Sequence, residues 1–197
     1  EQEDLEGFVG GMREWFEELG FRLTAEPPAY NFESIEFCQM HPVLIGDRWR
    51  MVRTPKVAFE KDTMCTLSVS DDEYLDWLAG VSDCGLATAS GVPVMQAFYE
   101  NLKISAGDHV APERLVEYTG MKHLSRGMSS RVVPVEESSR FSFWLAFGVD
   151  PETQIAIERS LLEARSIEQL EGFVPTHWPL DVSTPSNYPK QRKTNHV

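Results

Sequence analysis

Positive charge is what this sequence has least of. Over 197 residues, 18 Lys and Arg stand against 31 Asp and Glu, a formal net charge of −13. An acidic total works, on average, against a polyanion as partner. Cysteine is scarce too, confined to Cys38, Cys65 and Cys84. An odd number without compact spacing gives no disulfide framework and suits a reducing cytoplasm. No apolar run reaches the roughly 18–20 residues that cross a bilayer. Cys38 and His41 have C-x-x-H spacing, but Cys65, Cys84, His109 and His123 supply no second close pair for a zinc site. His41, His109 and His177 accompany no Gly-x-Ser-x-Gly elbow, so a hydrolase triad has no support. The start, Glu1-Gln2-Glu3-Asp4, is the opposite of a signal peptide and lacks an initiator Met. It reads as the start of an internal fragment.

The charge that is present is unevenly spread. From Glu1 to Glu36 there are ten acids and two bases, Arg13 and Arg22. From His41 to Lys61 the five bases Arg48, Arg50, Arg53, Lys56 and Lys61 face two acids, Asp47 and Glu60. Lys122, Arg126 and Arg131 lie in a Gly/Ser-rich stretch without an acid. A polyanion responds to the field within a Debye length, about 8–10 Å, so such clusters matter more than the sum.

Periodicity supplies the elements. Leu5, Phe8, Val9, Met12, Phe16 and Leu19 share one helical stripe, and Gly20 follows where a left-handed cap is favoured. Phe21 to Thr24 alternates as a short strand, stopped by Pro27-Pro28. Ser34 to Met40 alternates as a second strand. Val43 to Ile45, Gly46-Asp47 and Arg48 to Arg53 read as a β-hairpin closed by Pro55. Beyond Asp62 the pattern is helical. Ser70 caps a helix through Tyr74, Leu78 and Val81, Pro93 opens another, and Pro112 a third ending near Gly120. An apolar run from Phe141 to Phe147 stops at Gly148. Asp150-Pro151-Glu152 starts a further helix, and Ser166 with Gln169 a last short one. Ser70-Asp71-Asp72 looks like a metal motif, but an N-cap serine with first-turn acids explains it.

The stretch Ile35-Glu36-Phe37-Cys38-Gln39-Met40-His41-Pro42-Val43 resembles motif E, the primer-grip hairpin, of tombusvirus-like and noda-like viral RNA-dependent RNA polymerases. Arg50-Met51-Val52-Arg53-Thr54-Pro55-Lys56 looks like its return strand. The helix ending at Leu19-Gly20-Phe21-Arg22 resembles motif D. Cys84-Gly85-Leu86-Ala87 and the stretch from Gly91 to Tyr99 look like thumb helices. The resemblance covers about residues 1–105 in the family's order.

It implies an α+β fold, with a palm-end helix and β-hairpin followed by a mostly α-helical thumb. Residues 1–61 would be the C-terminal part of the palm, 62–172 the thumb and 173–197 an extended tail. Phe37, Cys38, Gln39, Arg48, Arg50, Arg53 and Lys56 would contact RNA or the priming nucleotide. Motif D often carries a proton-donating lysine. None precedes Lys56 here, and Arg22, the nearest base, is a poor general acid. The catalytic motifs are expected outside the chain, with the two Mg²⁺ (or Mn²⁺) ions they hold, so the fragment alone should be inactive. Expected partners are template RNA, the nascent strand, nucleoside triphosphates, and the upstream palm and fingers. Replication of a positive-strand genome on host cytoplasmic membranes is the implied setting. The rival is an acidic helical protein-interaction module with no nucleic-acid role, which accounts for the charge but not for bases gathered on one hairpin.

Overall fold

The computed structural model describes residues 2–117 and 120–164. The expected helix near Ser166 and the tail lie outside them. The fold is α+β: eight α-helices and one two-stranded antiparallel sheet among the described residues. Two compact units divide between Tyr30 and Asn31.

The first unit contains α1 (Gln2–Glu18). Its apolar stripe forms the expected helix, and Gly20, at φ +82°, ends it. The Gly20 N–H donates to the Glu17 carbonyl at 2.9 Å and the Phe21 N–H to Phe16 at 2.9 Å. These two bonds are a Schellman cap, satisfying carbonyls that the last turn leaves orphaned. The strand expected at Phe21–Thr24 is absent: the segment is irregular. Alternation alone cannot make a strand without an edge to pair with.

The second unit starts with a single 3-10 turn, Phe32–Ser34, and the hairpin β1 (Met40–Ile45) and β2 (Arg48–Arg53). Their register pairs Met40 with Arg53, Val43 with Arg50 and Ile45 with Arg48. The two-residue loop has Gly46 at φ +62°, a conformation glycine adopts freely. Pro55 does end the strand, but it also begins α2 (Pro55–Lys61), occupying the first helical position where its missing N–H costs nothing. The helices that follow are α3 (Asp71–Ala89), α4 (Met95–Ala106), the short α5 (Glu113–Val116) and α6 (Met121–Leu124), α7 (Glu137–Phe147) and α8 (Pro151–Glu163).

Ser70 caps α3 as expected. Its hydroxyl accepts the Glu73 N–H, and the Glu73 carboxylate accepts the Ser70 N–H. Asp150 caps α8 through the N–H groups of Glu152 and Thr153, each at 3.0 Å. Two expected starts are displaced. Pro93 precedes α4 instead of entering it, because Val94 at φ +65° forms a tight γ-turn in which the Met95 N–H meets the Pro93 carbonyl at 2.6 Å. Pro112 caps a helix of only four residues, well short of Gly120.

One core runs through the second unit. Val43 and Val52 of the hairpin, Phe59 of α2, Leu78 of α3, Phe98 and Leu102 of α4, Phe143 of α7 and Leu161 of α8 are all buried in it. Helices α3 and α4 meet at Gly85, where a Cβ would lie 2.1 Å from the Tyr99 ring.

Gly85→Ala therefore overpacks this contact and should destabilise the protein by about 1–3 kcal/mol in urea unfolding. Gly11→Ala, inside α1 with open space around it, should have the opposite sign, stabilising α1 by about 0.5–1 kcal/mol.

Candidate nucleic-acid interface

The family-like residues Phe37, Cys38 and Gln39 do not lie in a strand. They form a tight reversal that delivers the chain into β1. The Phe37 N–H donates to the Met40 carbonyl at 2.9 Å and the Met40 N–H to Phe37 at 3.0 Å. Cys38 and Gln39 between them have φ of +52° and +62°. Two successive positive φ values make a type I′ turn, which Asn-Gly adopts easily and other residues resist. The cost is about 1–2 kcal/mol for each non-glycine residue. The strand expected from Ser34 to Met40 fails because its alternating residues Ile35, Phe37 and Gln39 all face solvent, so neither face is buried.

Thr54 holds this turn from the far side of the hairpin. Its N–H donates to the Gln39 carbonyl at 2.8 Å and its hydroxyl to the same oxygen at 3.0 Å. The Thr54 carbonyl meanwhile accepts from Val57 and Ala58, starting α2. The result is an exposed projection on a fixed base. Phe37, 69% exposed, is its most prominent apolar group.

The outer edge of β1 is closed by serines. The Leu44 N–H donates to the Ser142 hydroxyl at 2.8 Å and the Gly46 N–H to Ser139 at 3.4 Å, both on α7. The Ser142 hydroxyl donates in turn to the buried Glu33 carboxylate at 2.9 Å, and His41 Nδ1 donates to the Glu33 carbonyl at 3.0 Å. Near this network, Phe32 and Trp49 pack edge to face on the solvent side, with centroids 4.7 Å apart.

The basic strand serves three different purposes. Arg48, 88% exposed, lies 3.7 Å from the similarly exposed Asp47. Arg50 turns inward, and its Nη1 donates to the carbonyls of Thr88 at 3.1 Å and Ser90 at 2.8 Å, at the C-terminus of α3. A cation there satisfies orphan carbonyls and opposes the helix dipole. Burial pulls the Arg50 pKa down from its ordinary value. Arg53 pairs with the nearly buried Asp62, whose other oxygen accepts the Tyr99 hydroxyl at 2.6 Å. Desolvation pushes the Asp62 carboxyl above its ordinary pKa, with Arg53 and Tyr99 pulling it partly back. A cleft of about 210 Å³ opens beside this pair, lined also by Lys61, Met64, Trp77 and Leu115. Lys56 is exposed on the first turn of α2, and Arg22 is exposed in the first unit.

In the second basic segment Lys122 is paired with Glu113, whereas His123, Arg126 and Arg131 are exposed. Among the described residues no group of three or more His, Cys, Asp or Glu could hold a metal ion. Asp71 and Asp72 stand in the first turn of α3 behind its cap. The described residues do not fit a two-metal centre. No helix of the described residues is long and apolar enough to cross a membrane.

Phe37, Cys38 and Gln39 lie together in the turn before β1, whereas Arg48 stands at the other end of the hairpin, beside the Gly46-Asp47 loop. Sequence reasoning missed Thr54, which carries no chemical signature, and the inward course of Arg50, which alternation could not separate from Arg48.

Residues 1–169 match the family described as viral RNA dependent RNA polymerase. The chain is similar to the RNA-directed RNA polymerase of Turnip crinkle virus, 38% identical over 153 residues, covering 75% of this chain and 20% of that protein. To the RNA-directed RNA polymerase of Carnation mottle virus it is 36% identical over 165 residues, 80% of this chain and 21% of the other. The putative RNA-directed RNA polymerase of Barley yellow dwarf virus (isolate PAV) is 30% identical over 190 residues, 93% and 22%. The chain thus spans about a fifth of the length of the curated relatives it matches. No solved structure matches it.

Two outcomes follow from this geometry. Arg50→Ala should destabilise the fold by about 1.5–3 kcal/mol, the range for hydrogen bonds from a charged donor, whereas Arg48→Ala should change urea stability by no more than about 0.5 kcal/mol. Because the Asp62 pKa is raised in the folded state, its contribution to stability is complete below the ordinary Asp range. That contribution is lost as pH rises through the raised value. The stability of the wild type relative to Asp62→Asn should fall as pH rises from the ordinary Asp range through the raised value, measured by urea midpoints at successive pH values.

Proposed function

The chain belongs to the viral RNA-dependent RNA polymerase family, and from that premise we propose that it is the portion of an RNA-directed RNA polymerase that grips the nascent strand or priming nucleotide. The observation that carries this reading is the Phe37–Met40 turn. It is an exposed, conformationally costly projection at the place where the sequence resembles the family's primer grip. A rigid base matters because a misplacement of about 1 Å at a reacting end can cost roughly 10²-fold in rate.

In this reading Phe37, Cys38 and Gln39 press on the backbone of the growing strand, and Arg48 and Lys56 meet its phosphates. Arg50 and Arg53 act one step back, fixing the hairpin to the helices. Residues 1–61 would be the end of the palm and the helices from Asp62 onward the thumb. Two divalent ions, held by aspartates in a part of the polymerase outside this chain, would supply the phosphoryl-transfer chemistry. Templates, nucleoside triphosphates, upstream palm and fingers, and a membrane-associated replication complex in the host cytoplasm complete the proposed setting. An acidic interaction module would leave both the family match and the projecting turn without a reason.

The test uses the full-length polymerase. Phe37→Ala and Arg48→Ala should each lower extension of a primed template about tenfold without loss of folded protein, and the chain alone with Mg²⁺ should incorporate no nucleotide. Arg48→Ala should also reduce the salt slope of RNA binding by about 1, as expected for one phosphate contact. Wild-type extension by both variants would remove the grip from this turn.

A further inference from the structure

Strain on an exposed turn needs a reason. Cys38 and Gln39 occupy left-handed conformations that glycine or asparagine would adopt with less resistance. Packing does not supply the reason, because Phe37, Cys38 and Gln39 all face solvent. What holds the conformation comes from outside the turn. Two donors of one residue converge on one acceptor: the Thr54 N–H at 2.8 Å and the Thr54 hydroxyl at 3.0 Å from the Gln39 carbonyl.

The hydroxyl is available for this because α2 does not use it. Thr54 is the N-cap residue of α2, yet its side chain makes no capping bond there. That helix instead starts on the Thr54 carbonyl, with Pro55 at its first position. The same residue closes the ladder one step beyond the Met40–Arg53 pair. Any motion of the turn against β2 must therefore stretch both bonds to the Gln39 carbonyl.

We propose that Thr54 is a positioning residue: through the Gln39 carbonyl it holds the Phe37–Met40 turn in the left-handed form that presents Phe37, Cys38 and Gln39 to RNA. This rests on the RNA-gripping reading above. The clamp acts on the primer end and leaves the binding of the incoming nucleotide alone. Its effect belongs in the rate of addition to a bound primer and not in the KM for nucleotide.

The experiment compares variants of the full-length polymerase in single-turnover extension of a primed RNA template, with thermal melts alongside. Thr54→Val keeps the N–H and removes the hydroxyl, and Thr54→Ser restores the hydroxyl. Thr54→Val should lower the rate of first addition about tenfold, an intermediate part of the orientation range, with KM for nucleotide within about twofold of wild type. Thr54→Ser should recover the rate to within about twofold.

A second variant reverses the sign of the stability effect. Cys38→Asn with Gln39→Gly installs the turn's preferred pair, so it should raise Tm, while extension falls because the Cys38 and Gln39 side chains that meet RNA are gone. A wild-type rate for Thr54→Val or failure of serine to rescue each overturns the proposal. Phe37→Ala separates the two levels. If it impairs extension while Thr54→Val does not, the clamp alone is wrong. If all of these variants extend like wild type, the RNA-gripping reading fails with it.

Discussion

A two-stranded hairpin is marginal by itself in water, so everything at the candidate interface depends on how β1 and β2 are fastened to the helices. Three attachments do this, each of a different kind. Val43 and Val52 enter the common core. Ser142 and Ser139 accept the N–H groups along the outer edge of β1, which would otherwise invite another strand. Arg50 and Arg53 tie β2 to the end of α3 and to Asp62. Apolar burial supplies most of the driving force, and the polar ties set the register. With both edges held, the turn at one end of the hairpin can carry strain without relaxing into another conformation.

The fastening changes the electrostatic picture. Five bases in the segment from His41 to Lys61 look like a strong local field for phosphate. Two of them, Arg50 and Arg53, have guanidinium groups engaged with internal carbonyls or a carboxylate, and Arg48 has an exposed acid beside it. What projects is a turn with an aromatic side chain and a few dispersed cations. In the proposed role such a surface would hold a nucleic acid by shape and backbone contact more than by bulk attraction, which fits a chain whose total charge is strongly negative.

Much of this was legible in the sequence because it rests on local rules. Gly20 after an apolar stripe, Ser70 three residues before Glu73, and Asp150-Pro151 each encode a helix end within a few residues, and each formed as read. The hairpin was legible from Gly46-Asp47 between alternating segments. What was hidden depends on distant partners. Alternation from Ser34 to Met40 suited a strand, but nothing buries either side of it, and the reversal at Cys38-Gln39 is stabilised by Thr54, 15 residues on. Val94 likewise takes a conformation no sequence rule assigns to a β-branched residue, and its N–H meets the Glu158 carboxylate, 64 residues away.

Gly85 illustrates how far such a dependence reaches. Its missing side chain lets Tyr99 lie against the backbone of α3, and from there the phenol reaches Asp62, which in turn holds Arg53 on the hairpin. Positions 53, 62, 85 and 99 thus form a chain of mutual tolerance across four elements. A lineage exploring new side chains at any one of them would have to alter its neighbours in step. The helix–helix contact and the hairpin base are, for mutational purposes, a single heritable unit.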